Sequence, residues 1–335
     1  MRDVAIAGYA ASVSTEPYAG NEIELVMPVV ADAVAASGLA RDEIGITVAA
    51  SSDFLVGQAF AFVRGLDAVG AYPVIDDSHL DMDGAWALYE AWVRLQVGDV
   101  DSALVYAIGK TSAGRLHELM PLSYDPYYVA PLSPDPRALA ALQARCLIDA
   151  GVASERDFAD VAARVHGADA LELLRAPYVA SPLRAHDCPP VTDGAAAVVL
   201  VAGDAARRAP GRAVWIRGID HRVEPHALGA RDLTRAPSVE RAAHEAGAGD
   251  VSIAELHTQY AHEEIVLRRA LGLDDHVAIN PSGGPLRANP VMATGLIRIG
   301  EAAANIAAAR ADRAVAHAGA GACLQQNLVC VLEGA

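Results

Sequence analysis

The chain has 335 residues, 53% of them hydrophobic, and a formal net charge of −16 at pH 7, with a pI near 5.0. That length can bury a large core in two domain-sized halves, and the acidic balance, with no run of five or six Lys/Arg, excludes a nucleic-acid or anionic-membrane footprint. The start "MRDVAIAGYAASVS" lacks a basic leader ahead of a long apolar run, and no stretch of 18 uncharged apolar residues occurs, so a cytosolic protein without membrane insertion is expected.

In chain order, short apolar β-type runs alternate with helical patterns. "DVAIAGYA" (3–10) precedes a helix near 21–38, and "ITVAAS" (46–51) follows. "DSHLDMDGAWALYEAW" (77–92) reads as an acidic turn running into an amphipathic helix over 84 to about 97; then come "SALVYAIG" (102–109) and "AAAVVLVA" (195–202). This rhythm marks a layered α/β fold. From Arg212 it starts again with "AVWIRGIDHR", a helix near 238–247, "VSIAELH" (251–257), a helix near 261–271, a helix near 291–309, "RAVAHAG" (313–319) and "NLVCVLEG" (327–334).

The repeated order suggests a duplicated unit, divided at 205/206 into an N-terminal half (1–205) and a C-terminal half (206–335). An insertion over about 110–190 interrupts the first half. It is rich in Pro and Tyr, then helical, with a cap at Ser154 for a helix near 155–167. Segments of this kind often cover a substrate. Its tyrosines Tyr124, Tyr127 and Tyr128 suit either a flat ligand or a subunit contact.

Four scattered cysteines, Cys146, Cys188, Cys323 and Cys330, form no Cys-x-x-Cys pair and read as small apolar side chains. Asp81 and Asp83, ahead of Gly84, form either an acid/base pair or a helix cap. His257 ends a strand, and Tyr260 follows at the first turn of a helix; each reads as a site residue or as a satisfied buried side chain. His262, Glu263 and Glu264 read as a solvated helix face. No metal site is expected.

The runs "VIDDSHLDMDGAWALYEAWVRLQVGDVDSALVYAIGK", "CPPVTDGAAAVVLV", "AELHTQYAHEE", "NPSGGPLRANPVMATG" and "AHAGAGACLQQNLVCVLEG" together resemble the thiolase superfamily. The branch they are most similar to is that of the sterol-carrier-type thiolases, bacterial lipid-transfer proteins and steroid side-chain aldolases. The resemblance implies a duplicated five-layered αβαβα fold with an inserted loop domain.

In that family a cysteine opens the helix after the third strand and accepts the acyl group; Asp81 stands at the matching position. A carboxylate is a poor acyl acceptor from a thioester. A His-Asp-Cys-Phe motif becomes His257-Thr258-Gln259-Tyr260, a Gly-His-Pro motif becomes Ala288-Asn289-Pro290, and a His-Asn-x-Gly pattern becomes His317-Ala318-Gly319. Cys323 lies beyond the matching position of a second base.

Thiolysis through an acyl-enzyme is therefore not expected. The catalytic candidates are His257 and Tyr260 as bases, Asn289 as an enolate donor, and Asp81 at the place of the lost nucleophile. Gly283, Gly284, His317 and Asp83 are the substrate-binding candidates. No cofactor is expected beyond a CoA thioester as substrate or ligand. Two functions follow from the resemblance. One is a retro-aldol C–C lyase acting on an acyl-CoA. The other is a silent subunit or lipid-binding partner. Either would work as a homodimer, or as a hetero-oligomer with a thiolase-like paralogue and a zinc-ribbon/OB-fold protein.

Overall fold

The computed structural model describes residues 2–70, 74–203, 206 and 211–335. In chain order the strands are β1 (Val4–Ser14), β2 (Ile46–Ser51), β3 (Asp77–Asp81), β4 (Ser102–Lys110), β5 (Tyr178–Ala180), β6 (Leu183–Arg184), β7 (Asp193–Ala202), β8 (Val214–Val223), β9 (Ile253–Glu255), β10 (Ala278–Ile279), β11 (Arg313–Ala320) and β12 (Gln326–Gly334). β5 and β6 pair only with each other, while the other ten follow the order β10-β9-β11-β12-β8-β1-β7-β4-β2-β3.

This order is one pattern used twice. β3, β2 and β4 run parallel, with β7 and β1 added antiparallel. β10, β9 and β11 run parallel, with β12 and β8 added antiparallel. Within the sheet, and among the described residues, the halves are joined where β1 pairs with β8, Ala5 with Trp215 and Ile6 with Val214. The division expected at 205/206 falls where residues 204, 205 and 207–210 lie outside the described residues.

Helices complete five layers. Glu22–Ser37 covers the outer face of the first half, and Pro237–Ala246 and Ala261–Leu271 cover that of the second. Between the halves lie Gly84–Val97 and Thr294–Ala307, whose Leu88, Leu95, Leu296 and Ile299 are fully buried. Each such side chain contributes roughly 1.5–3 kcal/mol by leaving water. β7 is buried along its whole length, which explains why it reads as an unbroken apolar run.

The duplication reaches single glycines. A Cβ on Gly8 would sit 2.1 Å from the carbonyl of Ala33, and one on Gly218 would sit 2.2 Å from that of Ala246. Both let an outer helix press on its sheet. Gly84 and Gly295 likewise open the two central helices, where a Cβ would meet Ala107 and Ala318 respectively at 2.7 Å.

One expectation is corrected. The acidic turn over 77–81 is the edge strand β3, parallel to β2 in the register Ser51 to Asp81; His79 on it stacks on Phe62 with centroids 3.6 Å apart. The insertion contains the helices Pro136–Asp149 and Glu155–His166 and the β5–β6 hairpin.

Candidate active site

The carboxyl ends of β2, β3, β9 and β11 and the starts of three helices, at Gly84, Ala261 and Thr294, converge on one cavity of about 460 Å³. Parallel α/β sheets place ligands at this end, and helix N-termini favour developing negative charge there. The insertion forms the facing wall, with Leu122, Tyr124, Val129 and Leu139 giving it an apolar lining.

Asp81, Asp83, His257, Tyr260 and Asn289 all line this cavity. Asp81 is exposed at the end of β3. Asp83 is buried and is the N-cap of the Gly84–Val97 helix, with both carboxylate oxygens engaged: Oδ1 accepts from Ala85 N at 2.8 Å and Oδ2 from Gly295 N at 2.9 Å. Burial pushes its carboxyl up to about 6.

His257 lies two residues past β9. Its Nδ1 accepts the Gly319 backbone N–H at 3.2 Å, which leaves the proton of the neutral ring on Nε2; the side-chain nitrogen of Gln259 lies 3.3 Å from Nε2. Burial lowers its pKa to about 3, and neighbouring His317 and Arg298 add to the effect. At neutral pH the ring is uncharged, and with Nδ1 occupied it presents an N–H rather than a lone pair. Tyr260, the N-cap of the Ala261–Leu271 helix, is held protonated by burial well above the ordinary phenol range. It too is a donor.

Asn289 is fixed from both sides. Its backbone N donates to Thr192 Oγ1 at 2.7 Å, and its Oδ1 accepts from Thr294 Oγ1 at 2.8 Å. The same side-chain amide is hydrogen-bonded to His257.

Three expected binding residues stand behind the wall. Gly283 and Gly284, with φ of 99° and 63°, close the turn bearing Asn280. Asn280 in turn accepts from Leu256 N at 2.6 Å and donates to Thr258 Oγ1 at 3.0 Å, bracing the His257 segment. His317 is buried, with Nε2 2.9 Å from Asn327 Oδ1 and Nδ1 without a hydrogen-bond partner among the described residues. Burial lowers its pKa to about 4.

The "solvated face" His262, Glu263 and Glu264 is buried, another correction. His262 Nε2 lies 3.2 Å from Gln143 Oε1, and Glu264 pairs with Arg164 of the insertion. Glu263 lines the cavity, as does Cys323. Burial pushes the Cys323 thiol up to about 12. Of the three tyrosines, Tyr124 lines the cavity, whereas Tyr127 and Tyr128 are 82% and 65% exposed.

Comparisons with known proteins agree with this architecture. No protein-family model matches the chain. It is 30% identical over 155 residues to an acetyl-CoA acetyltransferase of Methanothermobacter thermautotrophicus, covering 39% of this chain and 40% of that one. A second acetyl-CoA acetyltransferase, of Methanocaldococcus jannaschii, is 24% identical over 90% of this chain and 89% of its own. Among solved structures, an Ltp2-ChsH2(DUF35) aldolase superposes with a TM-score of 0.82 at 17% identity, covering 99% of this chain and 98% of that one. Human mitochondrial 3-ketoacyl-CoA thiolase in complex with CoA gives 0.79 at 13%, covering 100% and 98%. The chain has the thiolase fold.

Proposed function

We propose that the cavity binds a β-hydroxyacyl-CoA and cleaves its Cα–Cβ bond by a retro-aldol reaction, with no covalent acyl-enzyme. The carrying observation is chemical: His257, Asn289 and Tyr260, all uncharged at neutral pH, line a cavity whose one cysteine among the described residues, Cys323, is buried as a thiol. Neutral donors of this kind stabilise a thioester enolate and accept no acyl group. The likeness in fold to an aldolase supports the reaction type, and the acyl-CoA enzymes among the relatives support the substrate class.

The test is release of an aldehyde or ketone from a steroidal β-hydroxyacyl-CoA, with the chain alone and with a thiolase-like paralogue and a zinc-ribbon/OB-fold protein. Loss of product in Tyr260→Phe or His257→Ala assigns the donors. No product in any combination leaves the chain a silent acyl-CoA-binding subunit, a reading favoured by the exposure of Asp81, where a nucleophile would sit. The chain is proposed to act as a homodimer or hetero-oligomer; a single mass near 34.8 kDa by light scattering at all concentrations overturns that.

A further inference from the structure

With His257 and Tyr260 as donors, the retro-aldol reading lacks a base for the substrate hydroxyl. The carboxyls of the cavity wall are Asp81, Asp83, Asp125 and Glu263. Both oxygens of Asp83 are held by backbone N–H groups. Asp125 is likewise spent on the backbone, accepting from Tyr127, Tyr128 and Val129 N–H groups in its own exposed loop. Asp81 is exposed, open to water that competes for any proton it takes.

Glu263 differs from all three. It is buried in the first turn of the Ala261–Leu271 helix and lines the cavity. Its Oε2 accepts from Gln259 N at 2.8 Å and Tyr260 N at 3.2 Å, which anchors the carboxyl. Its Oε1 has no hydrogen-bond partner among the described residues, and Glu263 lines the cavity. A capping-box glutamate is ordinarily a surface residue that satisfies helix-end donors. Here the same anchoring holds a carboxyl, with one oxygen spare, beside Tyr260.

We propose that Glu263 is the general base and acid of this cavity, an assignment that rests on the retro-aldol reading. Its carboxylate takes the proton of the substrate β-hydroxyl, and the O–H electron pair becomes the new C=O bond. The Cα–Cβ bond breaks, and its pair passes to Cα and the thioester oxygen as an enolate held by His257 and Asn289. Glu263 then returns the proton to Cα, giving an acyl-CoA and a ketone or aldehyde and leaving the carboxylate as it began. No oxidant or second reactant is required. The titratable groups facing Glu263 are Tyr260 on its own segment and Cys323 from the loop before β12, both uncharged at pH 7.

The returned proton gives a second readout: in D2O the chain exchanges the Cα hydrogens of propionyl-CoA, followed by mass spectrometry. Glu263→Gln keeps an amide oxygen to accept the two backbone N–H groups, so the helix cap and the fold, checked by circular dichroism, persist. Cleavage and exchange are expected to fall on the order of 100-fold or more. Glu263→Asp is expected to retain part of both. Burial pushes the Glu263 carboxyl up to about 8, so wild-type kcat/KM rises with pH as the carboxylate forms near that value, and Glu263→Gln loses this limb. If the wild type cleaves and exchanges while Glu263→Gln stays within a few-fold of it at every pH, the base assignment is overturned and the lyase reading stands. If the wild type does neither, the lyase reading fails and the base assignment falls with it.

Discussion

Asp83 ties the two central helices together: it caps Gly84–Val97 through Ala85 N and, through Oδ2, accepts the N–H of Gly295 in the first turn of Thr294–Ala307 at 2.9 Å. The return contact runs from Gly84 N to Met292 O at 2.8 Å. One carboxylate thus serves the positive ends of two helices that correspond under the duplication. Asp83→Ala leaves two buried donors unpaired, and a loss of about 2–5 kcal/mol is expected from urea denaturation. Gly295→Ala places a Cβ 2.3 Å from Asp83 Oδ1 and is expected to destabilise at least as much. Stability within 0.5 kcal/mol of wild type in both variants would remove Asp83 as the tie.

Most of this framework is legible in the residues themselves. The Gly84–Val97 and Ala261–Leu271 helices fall where the apolar spacing ends at Gly98 and Gly272, both left-handed caps. β3 is not legible, because Asp-Ser-His-Leu-Asp is a short, polar edge segment whose strand identity comes from pairing with distant β2. His262, Glu263 and Glu264 mislead for a related reason. Charged residues default to solvent, and two of these three meet partners far earlier in the chain, His262 with Gln143 119 residues before it and Glu264 with Arg164 100 residues before it. The cavity inherits that blind spot, since Glu263, which stands between these two in the chain, is buried as well.

A second buried charge gives a further test. Arg298 of the Thr294–Ala307 helix reaches Glu255 Oε2 of β9 at 2.7 Å and Ser282 Oγ at 2.6 Å, with both charged side chains buried. Burial raises the Glu255 carboxyl, and Arg298 opposes that rise. Arg298→Met strands the carboxylate, and a loss of about 3–5 kcal/mol at pH 7 is expected. The folded variant then binds a proton that the unfolded chain releases, so its stability returns on acidification. A deficit that is constant between pH 7 and pH 5 would show that the carboxylate is not left uncompensated.

The three buried histidines set an acid limb. Burial lowers His257 and His262 to about 3 and His317 to about 4, whereas the unfolded side chains titrate near 6.5. Between those values the unfolded chain holds more protons, so these groups contribute stability that is lost as pH falls below about 6.5. Asp83, raised to about 6, and Glu263, raised to about 8, act in the opposite sense and weaken the fold as pH rises through their windows. Urea-derived stability is therefore expected to peak near neutrality. Glu263→Gln should flatten the fall above about pH 6.5 and steepen the acid limb between about pH 4.5 and pH 6.5, while His262→Asn should reduce the acid slope by about 1.4 kcal/mol per pH unit. An unchanged acid slope in His262→Asn would mean that this ring is not held neutral.

Asp81 ends β3 as an exposed carboxylate, and Cys323 is held as a thiol with Sγ 3.4 Å from the Leu139 carbonyl oxygen. Neither is an activated nucleophile: a carboxylate exchanges poorly with a thioester, and attack by sulfur requires the thiolate, which burial suppresses until about pH 12. Incubating the chain with propionyl-CoA and a β-hydroxyacyl-CoA, then measuring its intact mass at pH 7 and pH 8, is expected to return the unmodified polypeptide at both. A gain of one acyl group, mapped by peptide digestion to Asp81 or Cys323, would replace the retro-aldol scheme with an acyl-transfer one and return Glu263 to the part of a helix cap.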